Sequence, residues 1–308
     1  MSSTVIPRRM FLQAAAPVAL GLGAVARGQL PVERRFSDDD IPLVREQLLG
    51  MVNAERAAAG LSRLQLDELA CRVASAHARD MALGLFLSHW GSDGRKPYHR
   101  YSFAGGTEAV QENVSSADNI QSLSSNGVLQ DLHDMHQSMI DEVAPHDGHK
   151  RTILFPRQTH VGFGVAMLGR SIRLDEVYLA RYIAVDPLPR QVKPKEKVLV
   201  MGKVLQPKLT VIGSDLYHEP FPAPPAIEWL REPRPYGMPA TSVKLYPKLP
   251  KQLVYVDGST GSIETDGSNF RFRVTLSKEP GINTILIWLS PGEPGTEFPA
   301  TQICIRVG

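Results

Sequence analysis

The sequence predicts an α+β domain followed by an all-β domain, on three observations. Apolar residues recur at helical spacing in three stretches before residue 145. Two alternating apolar runs follow between residues 161 and 185. Beyond a proline- and charge-rich stretch, seven short β-branched and aromatic runs alternate with turn residues. The length, 308 residues, suits two domains, since one typically takes about 100–200. An apolar content of 43% with 21% charged residues gives each domain material for a core.

The elements follow in order. Ser37 to Asp40 reads as a capping box, after which Ile41, Val44, Leu48, Met51 and Val52 form a helical stripe that ends at Gly60. Asp67 caps a second helix with Leu69, Val73, Ala76 and Met81 on one face and Gly84 as its stop. Residues 90 to 126 are rich in Gly, Ser and Asn and read as loop. A third helix carries Val128, Leu132, Met135 and Met139. Its next inward position is Glu142, and Pro145 stops it. Val161, Phe163, Val165 and Met167 form one strand, and Val177 through Val185 another, with a turn near Gly169; the small sheet is expected to be antiparallel.

Residues 187–197 read as a linker. Beyond it, runs at 198–205, 208–217, 242–246, 253–256, 270–276, 284–289 and 301–307 suggest a β-sandwich of immunoglobulin-like type over 198–308. A stiff proline-rich loop spans Glu219 to Pro239, in which Trp229 and Tyr236 are expected to pack onto that sandwich.

The N-terminus reads as an export signal over residues 1–26. Arg8-Arg9 precedes an apolar run and Ala24-Val25-Ala26, a small-x-small cleavage site. The adjacent arginines followed by Phe11-Leu12 resemble a twin-arginine signal, which places the mature chain in the periplasm or outside the cell. Removing this segment takes both arginines and no acid, so the net charge falls from +2 to zero. Such a balance argues against nucleic acid as a partner. No other stretch is long and apolar enough to span a bilayer. The two cysteines, Cys71 and Cys304, exclude a disulfide framework and a Cys-rich zinc site, and are expected to be separate buried thiols.

The chemistry-bearing residues are His89 in FLSHWGSDG, Glu112 in QENV, Glu142 in MIDEV and His149 in DGHKRTIL. Two imidazoles and two carboxylates make a ligand set for a borderline divalent metal such as zinc, and also an acid/base set. They could equally form a metal-free buried polar network. No G-x-S-x-G, H-E-x-x-H or P-loop pattern occurs. His133 and His136 are expected on a helix surface, His146 as a possible rim ligand, and His77 packed inside the second helix.

Several motifs occur in order: Asn53-Ala-Glu55-Arg56 with Gly60 and Leu66-Asp67, Phe86-Leu-Ser88-His89, Glu112-Asn113, Gly148-His149 ahead of Ile153-Leu154, and Val161-Gly162-Phe163-Gly164. Together they resemble the CAP superfamily of cysteine-rich secretory, antigen 5 and pathogenesis-related 1 proteins. The resemblance covers residues 37–186 and implies an α-β-α sandwich. In its cleft His89 and His149 would bind the metal, with Glu112 and Glu142 beside them. The inward helical phase of Glu142 supports its place independently. The eukaryotic members' disulfides and Trp-rich second histidine motif are absent. The expected function is an exported binding or scaffold protein holding a divalent metal, zinc in class. Its ligand is expected to be small or lipid-like, or a cell-envelope component. The alternative is a metal-dependent hydrolase of peptide, ester or glycan that uses Glu112 and Glu142 as catalytic carboxylates.

Overall fold

The computed structural model describes residues 34–308, which form one compact unit. The export segment lies outside the described residues. In chain order the first half contains α1 (Ile41–Ala58), β1 (Gln65–Leu66), α2 (Glu68–Gly84), α3 (Pro97–Phe103), β2 (Ala109–Ala117), α4 (Ser125–Ile140), α5 (Gly148–Ile153), β3 (His160–Leu168) and β4 (Ser171–Ala180). The strands form one sheet in the order β1-β3-β4-β2. It is antiparallel except where two residues of β1 pair parallel with β3.

Alternation along the strands sorts the helices onto two faces. Val161, Phe163, Val165, Ile172, Leu174 and Tyr178 share a core with α1 and α4. The intervening Val177 and Leu179, with Val110 of β2, pack instead on α2 and α3. The result is a helix–sheet–helix layering. Gly162 and Gly164 explain how closely α2 lies. A Cβ on Gly162 would stand 2.3 Å from the Ala70 carbonyl carbon, and one on Gly164 would stand 2.1 Å from that of Ala74. Helix α2 answers with a buried face of small residues, Ala70, Cys71, Ala74 and Ala78, while Ala76 faces solvent.

The expected caps are present. Ser37 N–H donates to Asp40 Oδ2 at 2.8 Å, and Ala70 N–H donates to Asp67 Oδ1 at 2.7 Å. Two expectations are corrected. The segment 90–126 holds α3 and the nine-residue β2. Strand β2 escaped notice because Glu112 and Asn113, both buried, interrupt its apolar run. Helix α4 ends at Ile140, so Glu142 lies in the following turn. Helix α2 ends at Gly84 as expected, and the next residue, Leu85, takes the left-handed conformation (φ 51°).

The β-rich second half follows. β5 (Ile183–Val185) leaves the first sheet and pairs with β7 (Lys197–Val204), on the far side of the two-residue β6 (Gln191–Val192). Then come β8 (Thr210–Glu219), the short α6 (Ile227–Leu230), β9 (Ser242–Leu245), β10 (Glu264–Asp266), β11 (Asn269–Thr275), β12 (Gly281–Ser290), β13 (Phe298–Pro299) and β14 (Ile303–Val307). They form two sheets, β10-β11-β7-β5 and β6-β14-β12-β8-β9, with β13 added to β12. One core, including Val200, Phe270, Phe272, Ile285, Ile287 and Ile305, joins them. The expected strand at 253–256 is irregular chain instead, with Leu253, Val254 and Val256 exposed. Both thiols are free and buried.

The halves meet along a polar and apolar seam. Val110 N–H donates to Gln302 Oε1 at 2.7 Å, and Cys304 N–H donates to Ser102 Oγ at 2.8 Å. Glu219 of β8 accepts from Lys96 Nζ (2.7 Å), Tyr98 Oη (2.9 Å) and His99 Nε2 (3.0 Å). Burial opposes the Glu219 charge, yet the hydrogen bond from His99 and the charges of His99 and Lys96 hold its carboxyl at about 2. The folded chain therefore takes up this proton less readily than the unfolded chain does. The contribution is fully present above the ordinary glutamate pKa of 4.5 and is lost as the pH falls toward 2. Glu219→Gln is expected to cost about 2 kcal/mol at pH 7, discounted for partial exposure, and to flatten the stability profile in that acid window. Urea melts of both proteins from pH 7 to 3 check this. Parallel profiles would show that the carboxylate contributes nothing.

Candidate functional site

The site forms where the end of α2, the edge strand β2, the turn after α4 and the start of α5 come together. Its first part is the loop Phe86–His89. Phe86 is 1% exposed, and its carbonyl accepts from Arg173 Nε at 3.0 Å. His77 Nε2 donates to the Ser88 carbonyl at 2.8 Å. Thus pinned, His89 places Nδ1 3.0 Å from Glu112 Oε2.

Arg100 closes the arrangement. Its Nη1 donates to the His89 carbonyl at 2.9 Å, and its Nη2 pairs with Glu112 Oε1. Burial disfavours the Glu112 charge, but the Arg100 guanidinium and the hydrogen bond from His89 lower its pKa to about 2. Glu112 is therefore an ionised carboxylate at neutral pH.

The neighbouring Asn113 points to the opposite sheet face, because Glu112 registers with Val177 and Asn113 with Glu176. Asn113 Nδ2 donates to the His149 carbonyl (3.2 Å) and to Glu176 Oε2 (3.4 Å). One dipeptide thus positions both histidines, one through a carboxylate and the other through its backbone. Glu142 accepts the His149 backbone N–H at 2.9 Å and also pairs with His149 Nδ1. The imidazoles keep partial exposure, 19% for His89 and 35% for His149.

The four predicted residues therefore stand as two histidine–carboxylate pairs. Among the described residues, a different set of three brings ligand atoms within 4.8 Å of one another: His77, Glu112 and Asp175. This buried triad could hold a metal ion. Burial and the Glu112 charge raise the Asp175 pKa well above the usual carboxylate range. Burial and the Arg100 charge lower that of His77 to about 4, so His77 is neutral at pH 7.

Other assignments change. His136 is 2% exposed, not on the surface, and its Nδ1 lies 3.5 Å from Glu176 Oε1. His133 and His146 are exposed. Tyr236 and Trp229 pack onto the first half rather than the sandwich. The Tyr236 ring lies 4.7 Å from that of His89, its Oη accepts the Glu112 N–H at 2.8 Å, and Trp229 meets Trp90 edge-on at 5.4 Å. Both halves of the chain thus build the site.

Sequence reasoning missed Arg100, Asp175 and Tyr236. Asp175 left a signal: it sits with Arg173 and Glu176 inside an otherwise apolar strand, buried on both faces. Arg100 and Tyr236 left none, because each reaches the site through a fold contact alone.

Residues 49–180 match the family model described as CAP, the cysteine-rich secretory protein family. No curated protein matches the chain. Among solved structures, an outer surface protein from Borrelia burgdorferi is similar at 14% identity, over 49% of this chain and 99% of its own, with a TM-score of 0.37. An extracellular SCP-domain protein from Bacillus anthracis is similar at 19% identity (47% of this chain, 44% of its own, TM-score 0.36). The CAP domain of enterococcal PrgA is similar at 15% identity (47% and 63%, TM-score 0.34). The latter two are covered over less than two thirds of their own length.

Proposed function

We propose that this chain, which carries a CAP/SCP domain over residues 49–180, is an exported binding or scaffold protein whose cleft holds a divalent ion of the zinc class. The donor set suits such an ion. A carboxylate engages Nδ1 of each cleft imidazole, which leaves Nε2 of His89 and His149 as the ligating atoms. The ion would supply Lewis acidity. The protein's own residues fix the two ring orientations, and Arg100 keeps Glu112 charged.

One observation favours binding over hydrolysis. A general base works best with a pKa near the operating pH and a free lone pair aimed at water. Glu112 has a pKa of about 2, far below what a base at neutral pH needs, because it sits against the Arg100 guanidinium and His89. Glu142 is committed to His149 through both oxygens. Neither carboxylate is poised to activate water.

An apolar groove of about 330 Å³, lined by Trp90, Phe221, Pro222, Pro225 and Trp229, begins at the residue after His89. It supports a small or lipid-like ligand. The β-rich half would serve as an immunoglobulin-like docking module toward the cell envelope. Twin-arginine export, argued from Arg8-Arg9, would let the folded chain leave with its metal already loaded. No helix among the described residues is long and apolar enough to cross a membrane.

The test is turnover of peptide, ester and glycan panels by the zinc-loaded wild type, Glu112→Gln and Glu142→Gln. No metal-dependent turnover is expected, together with retention of apolar small molecules that extract into organic solvent. Turnover that depends on zinc and disappears with either carboxylate would make the chain a hydrolase.

A further inference from the structure

We propose that His77, Asp175 and Glu112 hold a second divalent ion, buried beneath the cleft and separate from the His89 and His149 imidazoles. The three side chains come from α2, β4 and β2 and are 1%, 0% and 3% exposed, respectively. Their ligand atoms converge within 4.8 Å.

The hydrogen bonding points to a cation. The Ser88 carbonyl can only accept, so His77 Nε2 carries the proton in its 2.8 Å bond, and Nδ1 presents a bare lone pair. That Nδ1 is buried without a partner, and so are both oxygens of Asp175. Three buried polar atoms without a partner in one interior are costly, at about 1–3 kcal/mol each. A water molecule donates only two hydrogens, whereas one cation satisfies all three residues at once. Folded proteins leave few such atoms unsatisfied, and each asks for an explanation.

Glu112 remains able to join. Each of its oxygens takes one hydrogen bond, from His89 or Arg100, while a carboxylate offers about four lone-pair sites. Coordination therefore leaves both existing bonds in place. Arg100 meets Glu112, but among the described residues no basic side chain hydrogen-bonds Asp175.

One imidazole and two carboxylates suit a borderline first-row ion such as zinc or manganese, with a water in the fourth position, and disfavour soft copper(I). Glu112 would then link the buried ion to His89, so that the inner site steadies the outer one.

The experiment uses the full chain with His89→Ala and His149→Ala, produced with zinc in the medium and dialysed against EDTA before elemental analysis. About one zinc per chain should remain. Adding Asp175→Asn, which is nearly isosteric, should abolish it with the far-ultraviolet circular dichroism unchanged. His77→Gln, which keeps a donor for the Ser88 carbonyl, should do the same and serves if the Asp175 variant does not fold. A folded His89/His149 variant without zinc overturns the proposal. Zinc content unaffected by Asp175→Asn or His77→Gln also overturns it. If the His89/His149 variant holds as much zinc as the wild type, the cleft reading fails instead.

Discussion

Gly164→Ala is expected to unfold the chain or to destabilise it by about 3 kcal/mol or more. Its new Cβ would stand 2.1 Å from the Ala74 carbonyl carbon, 2.2 Å from that oxygen and 2.3 Å from Ser75 N. These are backbone atoms of α2, and they cannot swing aside as a side-chain tip would. Relief requires lifting the helix from the sheet, which opens the contacts of Ala70, Val73 and Ala74 with Val177 and Leu179. Overpacking typically costs about 1–3 kcal/mol where side chains can adjust, and more where they cannot. A global stability of about 5–15 kcal/mol leaves little reserve. Gly50→Ala is the control. It lies within α1, its added Cβ meets nothing within 4 Å, and it should stabilise the chain by about 0.5–1 kcal/mol. Urea melts of both variants check the pair. A Gly164→Ala melt that overlays the wild type would refute the close packing of α2.

Arg56→Met should be nearly as severe. Arg56 is 0% exposed and pairs with no carboxylate among the described residues. Its guanidinium donates to four backbone carbonyls: Ser62 (2.8 Å), Ile153 (2.7 Å), Phe155 (3.0 Å) and Gln158 (3.4 Å). Burial lowers its pKa, but an arginine remains charged. Methionine fills much of the volume and satisfies none of the four acceptors, so a loss of about 3–5 kcal/mol is expected. Lysine keeps the charge but cannot span four acceptors, and should fall between. Because Ile153 ends α5, the damage should reach His149. Protease cleavage near residues 154–159 should accelerate in Arg56→Met. Unchanged melting and cleavage would show that these bonds are dispensable.

These two residues also show how much was legible in the chain. The motifs Asn53-Ala-Glu55-Arg56 and Val161-Gly162-Phe163-Gly164 identified the domain, but not their physical role. That role is long-range: Arg56 bonds residues about a hundred positions away, and the glycines answer a helix ninety positions earlier. Helical stripes and caps were readable because their signals are local. Strand β2 was hidden because its site residues break the apolar alternation that betrays a strand. The phase of α4 suggested an inward Glu142, yet the helix stops two residues short, and Glu142 instead binds the start of α5. The roof over His89 was beyond sequence reasoning, since Tyr236 lies 147 positions away from it and the proline-rich loop carries no periodicity.

In the proposed cleft site the two imidazoles, each oriented by a carboxylate on Nδ1, present Nε2 to one divalent ion. Crystals of the full chain grown with zinc, measured above and below the zinc absorption edge, test it most directly. An anomalous peak bonded to Nε2 of both His89 and His149 is expected, at zinc–nitrogen distances of about 2.0–2.1 Å. A fully ordered cleft with no peak against either imidazole would contradict it.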